Sequence, residues 1–255
     1  MFDLEIKNFL QDLSSGANHL GNELYIVGGY VRNFLVDEFY SGNKSKNYFD
    51  IDLVINSNAI EFAHGFQRFY EDSHPQHLSY EITDEFKQFG TVKIKHPEYP
   101  LFNIEIASTR TESYLEPADF PKVTIINDIK KDIPRRDFTI NGLLISLNKN
   151  DFGEVIDYCH GINDIQNGLV RVFHAESFID DPTRIYRAIR FACEFDFEIE
   201  EKTLEYLKVA TSSPLFSSWL SKRKNRFEIE LNKILSLTEK QSSRGIDWLK
   251  KLKAI

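Results

Sequence analysis

The sequence is poor in cysteine and has no long apolar run. Its 255 residues include two cysteines, Cys159 and Cys193, which excludes a disulfide framework and indicates a reducing compartment. The N-terminal stretch MFDLEIKNFLQDL carries acids and does not resemble a secretory signal. No segment has the length and apolarity of a membrane span. The sequence therefore predicts a soluble, cytoplasmic protein without membrane contact.

Positive charge is also in short supply. Lys and Arg number 31 against 39 Asp and Glu, which gives a net charge of −8. This balance argues against a dedicated nucleic-acid-binding domain, which usually has a basic surplus. Three local basic clusters nevertheless leave room for a focused basic cleft: KDIPRRDF, RIYRAIRF and SKRKNRF.

Internal repeats, low-complexity segments, a P-loop and a G-x-G-x-x-G motif are all absent from the sequence. Instead, strand and helix patterns alternate to about residue 150, and helical patterns follow. An amphipathic helix is predicted over residues 2–13 and a loop over Ser41–Asn47. Residues 135–147 are predicted to be helical at their start. The chain thus divides into an α/β region, 1–150, and a helical region, 151–255.

Two acids alternate with apolar residues in the predicted strand FDIDLVI. Asp50 and Asp52 share one face of this strand, and Ile51 and Leu53 share the other. Two like charges on one face repel each other unless a cation lies between them, and Mg²⁺ favours one or two carboxylates plus substrate phosphates. The pair is therefore either a metal site or two solvated acids on an edge strand.

Three further motifs are ambiguous on their own. Gly28 and Gly29 follow a predicted strand and precede a helix, a junction that forms either a plain turn or an anion cradle, and Arg32 lies one turn further on. RRDFTIN, which begins at Arg135, is either solvated surface or a polar binding face. DPTRIYR, which begins at Asp181, is either an internally salt-bridged helix or a binding face.

Five motifs in order carry a resemblance to a known family. GGYVRNFL with DID resembles G-G-x-V-R-D with D-x-D, and RRDFTINGL resembles R-R-D-F-T-I-N-A. DYCHGINDIQNGLVR, DDPTRIYRAIRFA and NRFEIELNKIL are similar to the family's hinge segment, its D-D-P-x-R helix and its E-R-I-x-x-E-L helix. The chain resembles the class II tRNA nucleotidyltransferases and bacterial poly(A) polymerases, a branch of the DNA polymerase beta superfamily.

The resemblance implies an α/β head, or palm, with a mixed five-stranded sheet over residues 1–150. An all-helical neck and the start of a body domain would occupy residues 151–255. The family's body and tail, which hold tRNA, would normally follow. The chain is therefore expected to be either a fragment or a natural protein without that half.

The resemblance also implies roles for residues in the head. Asp50 and Asp52 match the two catalytic carboxylates that bind Mg²⁺, and Glu105 resembles a third catalytic carboxylate. The matched nucleotide-binding residues are Gly28, Gly29, Arg32, Arg110, Arg136, Asp137 and Asn141.

Asp181 and Arg184 match the family's protein template for the incoming base, and Arg187 is expected to support that pair. Cytosine and adenine both present an amine donor beside a ring-nitrogen acceptor, which an Asp and an Arg can satisfy. Guanine and uracil present the reverse order and would leave buried polar groups unpaired.

The sequence departs from the family pattern at three positions. Asn33 replaces an Asp, Gly142 replaces an Ala and Asn225 replaces a Glu. The missing acid at position 33 is expected to alter local packing or phosphate geometry.

The implied function is metal-dependent addition of C, A or CCA from CTP and ATP to the 3′ end of tRNA. The alternatives are a poly(A) polymerase, an enzyme that adds only CC or only A, and a non-catalytic RNA-binding remnant. The sequence does not define an oligomeric state.

Overall fold

The computed structural model describes residues 4–40, 50–76, 78–96, 98 and 100–255. These residues form two compact units that share the chain in alternating segments. The first unit comprises Met1–Glu112, Val123–Arg135 and Asn141–Gly161, and the second comprises Ser113–Lys122, Arg136–Ile140 and Ile162–Ile255. The expectation of two domains divided at residue 150 stays a prediction. The predicted loop Ser41–Asn47 lies outside the described residues.

Strands and helices alternate in the first part of the described chain, and helices dominate the second. The strands are β1 (Leu24–Val27), β2 (Asp50–Ile55), β3 (Glu81–Phe86), β4 (Thr91–Lys95), β5 (Asn103–Ser108), β6 (Arg110–Ser113), β7 (Lys122–Ile125), β8 (Leu144–Ser146), β9 (Val155–Ile156), β10 (Leu169–Val170) and β11 (Glu198–Ile199). The helices are α1 (Leu4–His19), α2 (Gly29–Phe39), α3 (Ala59–Ser73), α4 (Ile129–Asp132), α5 (Gly161–Gln166), α6 (Ser177–Asp180), α7 (Thr183–Glu194), α8 (Glu201–Thr211), α9 (Phe216–Lys222), α10 (Lys224–Leu235) and α11 (Glu239–Lys251).

The first unit is built on one mixed sheet with the strand order β3-β4-β5-β2-β1-β8-β9. β2 and β5 are parallel, and the other neighbouring pairs in this sheet are antiparallel. The predicted fold class is confirmed, but the five strands that the resemblance implied are too few, because the described residues form a sheet of seven strands. β3 is a charged, largely exposed edge strand and β9 has two residues, so neither gives a clear apolar alternation.

The alternation predicted for the second strand is confirmed. Ile51 and Leu53 are fully buried, whereas Asp50 and Asp52 are exposed on the opposite face. Successive side chains of a strand point to opposite faces, so one buried face forces these two acids to share the other.

Aromatic side chains fill the core between the sheet and two helices. α1 buries Ile6, Phe9, Leu10 and Leu13, as its spacing predicts, and it is described from Leu4 onward. Phe66 of α3 stacks on Tyr80 with ring centroids 4.8 Å apart. The side chain of Asn58 caps α3 by accepting from the backbone N–H groups of Ile60 and Glu61.

The second unit is centred on α7, which buries nine of its twelve residues and packs against α10 and α11. The ring of Phe138 meets that of Phe191 edge to face at 5.7 Å. The helical patterns predicted after about residue 150 are confirmed by α5 to α11, but the region is not all-helical because the two-residue strands β9, β10 and β11 also lie in it. In the described part of the chain, no helix combines the length and the apolarity needed to cross a membrane.

The predicted helical start of residues 135–147 is only partly right. The chain forms two short 3₁₀ turns, Ile133–Arg135 and Thr139–Asn141, and then enters β8. The apolar run after Asn141 is short and fully buried, and such a run does not distinguish a strand from a buried helix.

Gly16 of α1 is predicted to be required for packing. A Cβ atom at this position would lie 2.3 Å from Cδ2 of Phe66. Helix propensity alone predicts that Gly16→Ala stabilises the protein by about 1 kcal/mol. We expect the clash to dominate and to destabilise it by about 1–3 kcal/mol. Urea unfolding checks this, with Ser15→Ala on the exposed side of α1 as the control. A Gly16→Ala protein that is more stable than wild type would contradict the predicted clash between a Cβ atom at position 16 and Phe66.

Candidate active site

The carboxylates of β2 lie opposite polar residues of β5. In the parallel ladder, Asp50 is in register with Asn103, and Asp52 is in register with Glu105. Asn103 Nδ2 donates a 2.9 Å hydrogen bond to Asp50 Oδ1. The structure therefore brings three predicted catalytic residues, Asp50, Asp52 and Glu105, onto two neighbouring strands.

The surroundings of Glu105 disfavour its ionised form. Burial raises the pKa of Glu105 above its usual range, and the neighbouring Asp52 raises it further, while Lys93 and Arg110 oppose the shift. Lys93 Nζ lies 4.0 Å from Glu105 Oε2, and both side chains are close to half exposed. A cation bound nearby would favour the charged carboxylate.

The donor chemistry on this face fits a hard cation. Asp50 and Asp52 offer exposed carboxylate oxygens, the ligand type that Mg²⁺ prefers. Among the residues described, no three His, Cys, Asp or Glu side chains are grouped closely enough to hold a metal by themselves. Two carboxylates that share the ion with substrate phosphates satisfy Mg²⁺. The carboxylate pair therefore fits a Mg²⁺ ion that binds together with a nucleotide.

A glycine turn lies against this carboxylate face. Gly28 follows β1 with φ 70° and ψ −131°, a conformation that favours glycine. A Cβ atom at Gly28 would lie 3.3 Å from Asp52 Oδ2, so a larger residue would crowd the carboxylate. Gly29 then begins α2, and the backbone N–H groups in the first turn of a helix suit an anion.

Arg32 is held by two asparagine side chains. It is 7% exposed, and its Nη1 donates to Asn141 Oδ1 at 2.6 Å. Its Nε and Nη2 both donate to Asn33 Oδ1, at 3.1 and 2.8 Å. The structure thus brings together Arg32 and Asn141, two predicted nucleotide ligands. It also gives Asn33, the position that departs from the family pattern, an acceptor role.

Arg110 belongs to an ion-pair network in the first unit. Its Nε and Nη2 contact Glu112 at 2.9 Å, and its Nη1 donates to the carbonyl of Phe89 at 2.7 Å. Arg135 joins the network through Glu112 at 3.1 Å and the fully buried Asp132 at 2.8 Å. Burial lowers the pKa of Arg110, and Arg135 lowers it further. Glu112 and Asp132 were not predicted, although D-I-P-R spaces Asp132 and Arg135 for pairing.

The second unit holds the predicted base-template residues. Asp181 Oδ1 accepts from the backbone N–H of Thr183 at 3.1 Å and from its hydroxyl at 2.5 Å. Asp181 Oδ2 lies 3.7 Å from Arg226 Nη1. Arg184 is 5% exposed, and its Nη1 donates to the buried Ser177 Oγ at 2.7 Å. Ser177 and Arg226 were not predicted, and the sequence gives no signal for Ser177.

Asp137 and Arg187 form an ion pair, also in the second unit. Arg187 donates from Nε and Nη2 to Asp137 Oδ2, and its Nη1 lies 3.5 Å from Glu230 Oε1. Burial lowers the pKa of Arg187, but the charges of Asp137 and Glu230 outweigh it, so the pKa is raised. Arg190 Nε also donates to Glu230, at 2.9 Å. Arg136 is half-buried in the same segment as Asp137. The nucleotide-binding roles of Arg136, Asp137 and Arg187 stay predictions.

A mixed sheet with paired aspartates beside a strand–glycine–helix turn is the arrangement that the resemblance implies for a nucleotidyltransferase head. Within this class, the sequence matches the model of one family. Residues 24–171 match the family model of the Poly A polymerase head domain, so the chain belongs to that family.

Curated relatives of this chain are tRNA nucleotidyltransferases by name. It is 39% identical over 189 residues to the A-adding tRNA nucleotidyltransferase of Aquifex aeolicus, a match that covers 74% of this chain and 20% of that protein. It is 32% identical to the A-adding tRNA nucleotidyltransferase of Halalkalibacterium halodurans, over 92% of this chain and 50% of that protein. A CCA-adding enzyme of Streptococcus agalactiae is 33% identical over 74% of this chain and 40% of its own length. The chain therefore spans half or less of the length of these relatives.

Solved structures show the same fold. A CCA-adding enzyme in an apo form superimposes with a TM-score of 0.79 and 35% identity, over 99% of this chain and 54% of that chain. The Thermotoga maritima CCA-adding enzyme complexed with tRNA-CCA gives a TM-score of 0.76 and 35% identity, over 99% of this chain and 52% of that chain.

Glu105→Gln is predicted to stabilise the metal-free protein at neutral pH. Because its folded pKa is raised, the stability linked to Glu105 is fully present below the ordinary value of 4.5 and is lost as the pH rises through the folded pKa. The half-exposed carboxylate is screened, so the expected gain is about 0.5 kcal/mol at pH 7.5 and none at pH 4.

Urea unfolding in EDTA at both pH values measures this difference. Glu81→Gln on the exposed edge strand β3 is the control. An equal effect of Glu105→Gln at both pH values would contradict the electrostatic cost assigned to Glu105.

Proposed function

We propose that this chain transfers a nucleoside monophosphate from CTP or ATP to the 3′-hydroxyl of tRNA, with release of pyrophosphate. The observation that carries the proposal is the pair of exposed aspartates on one face of β2, with the Gly28 turn against Asp52. The names of the relatives support the same reaction class and the same RNA.

In this proposal, residues of β2, β5 and α2 bind the reacting end of the nucleotide. Asp50 and Asp52 hold Mg²⁺, and Glu105 adds negative charge beside them. A bound Mg²⁺ supplies Lewis-acid stabilisation of the developing negative charge. The N–H groups of Gly28 and Gly29 bind triphosphate oxygens at the start of α2. Arg32 adds a positive charge, and its asparagine partners fix the orientation of its guanidinium.

Asp181 and Arg184 are proposed to select the base. An Asp accepts from the exocyclic amine of cytosine or adenine, and an Arg donates to the adjacent ring nitrogen. Guanine and uracil offer the reverse order, so they would leave both side chains unpaired. Thr183 and Ser177 each hold one of the two side chains, which reduces the ordering that base binding requires.

Addition of A alone is a second candidate. Three curated relatives with 32–39% identity are named A-adding tRNA nucleotidyltransferases. Curated CCA-adding enzymes show 30–33% identity, and two solved structures of CCA-adding enzymes show 35%. tRNAs that end before CC, after CC, or with complete CCA separate these activities when labelled CTP and ATP are supplied in turn. Incorporation of A only on the tRNA that ends in CC supports the second candidate. Extended A tails would instead support a poly(A) polymerase.

The first functional prediction concerns the carboxylate pair. Asp50→Ala combined with Asp52→Ala should abolish incorporation of labelled nucleotide in the presence of Mg²⁺, because the oxygen ligands of the metal are lost. Glu81→Ala combined with Asp84→Ala, which removes two exposed acids from β3, is the matched control and should retain activity. Incorporation by the double aspartate variant would contradict the assignment of Asp50 and Asp52 as catalytic residues. A wild-type chain that binds tRNA without incorporating nucleotide would favour the RNA-binding remnant.

The second functional prediction concerns base selection. Arg184→Ala should lower the preference for CTP or ATP over UTP and GTP by about tenfold or more, because the donor that rejects the wrong base is removed. Steady-state rates with all four nucleotides measure the ratio, and circular dichroism checks that the variant is folded. Asp181→Asn should also lower the ratio. If Arg184→Ala lowers the rate but leaves the nucleotide preference unchanged, Arg184 is not a template residue.

A further inference from the structure

Asn103 has a contact that its position in the strand does not require. It is the first residue of β5 and lies on the exposed face, in register with Asp50. Asn is disfavoured in strands relative to β-branched and aromatic residues. The 2.9 Å bond from its Nδ2 to Asp50 Oδ1 gives the residue a role in the side-chain arrangement.

This bond acts on a carboxylate in an unfavourable setting. Asp50 shares its strand face with Asp52, and Glu105 faces Asp52 across the ladder. Carboxylates on adjacent positions repel one another in the absence of a cation. An amide N–H is a neutral donor that engages one oxygen of Asp50 without competing as a cation for the site. The bond uses one of the two carboxylate oxygens of Asp50.

A fixed carboxylate also binds a metal at a lower entropic cost. A free Asp side chain samples several rotamers, and binding must select one of them. A donor on the adjacent strand restricts that choice before the metal arrives. Hydrogen-bond partners that orient metal ligands in this way contribute substantially to metal affinity.

We infer that Asn103 is a positioning residue that holds Asp50 for Mg²⁺, an inference that rests on the proposed function. Asn103 restrains Asp50, and Glu105 supplies charge beside Asp52, so β5 contributes one polar side chain to each aspartate of β2. A surface hydrogen bond with no such role would leave metal affinity unchanged when it is removed.

Mn²⁺ binding by the whole 255-residue chain, followed by the loss of the free-ion EPR signal, tests this inference without requiring activity. Asn103→Leu keeps a similar volume and removes the donor, whereas Asn103→Gln retains an amide. Asn22→Ala is the matched control, because it removes an amide that donates to the Leu20 carbonyl. Asp50→Ala combined with Asp52→Ala defines the part of Mn²⁺ binding that belongs to the site.

We expect Asn103→Leu to weaken site-specific Mn²⁺ binding by about tenfold, with a smaller loss for Asn103→Gln and none for Asn22→Ala. The Mg²⁺ concentration for half-maximal incorporation should rise by a similar factor in Asn103→Leu, and the rate at saturating Mg²⁺ should recover. Wild-type affinity in Asn103→Leu, with weakened binding in the double aspartate variant, overturns the role of Asn103 alone. Equal Mn²⁺ binding by wild type and the double aspartate variant overturns the metal site itself and the inference with it.

Discussion

The parallel pairing of β2 with β5 is the interaction on which the candidate active site depends. It sets Asn103 opposite Asp50 and Glu105 opposite Asp52, so all four polar side chains belong to one ladder. Parallel neighbours need a crossover, and α3, β3 and β4 provide it between the two strands. The aromatic core around Phe66 and Tyr80 holds α3 in the unit. Packing remote from the carboxylates thereby fixes the register that brings them together.

The two faces of β2 contribute to folding in opposite ways. Ile51 and Leu53 favour the folded state through burial, whereas Asp50 and Asp52 concentrate negative charge on the other face. Burial raises the pKa of Glu105, and the neighbouring charge of Asp52 raises it further. Elsewhere in the first unit, buried acids are paired, as Asp132 is with Arg135. Acidic side chains that share one exposed face are therefore a property of the carboxylate face, and the proposed metal site would use it.

Local patterns predict part of this site, and contacts between distant residues explain the rest. Period-two alternation places Asp50 and Asp52 on one face because the rule needs only adjacent residues. The acceptor for Arg32 Nη1 is Asn141, 109 positions later, and no local spacing reveals that contact. Asn33 departs from the family motif, but its amide oxygen accepts two hydrogen bonds from the Arg32 guanidinium. The charged edge strand β3 has almost no buried face, so the count of strands could not be read from hydrophobic alternation.

The alternating segments of the two units have a consequence for how this chain can be divided. The chain leaves the first unit after Glu112, returns at Val123, leaves after Arg135, returns at Asn141 and leaves again after Gly161. A single break in the backbone before residue 161 therefore leaves at least one unit without all of its segments. A gene fusion at a junction before residue 113 divides the first unit alone, and the second unit stays complete on one side of it. A junction between residues 113 and 161 divides both units, so neither can be transferred intact from that part of the chain.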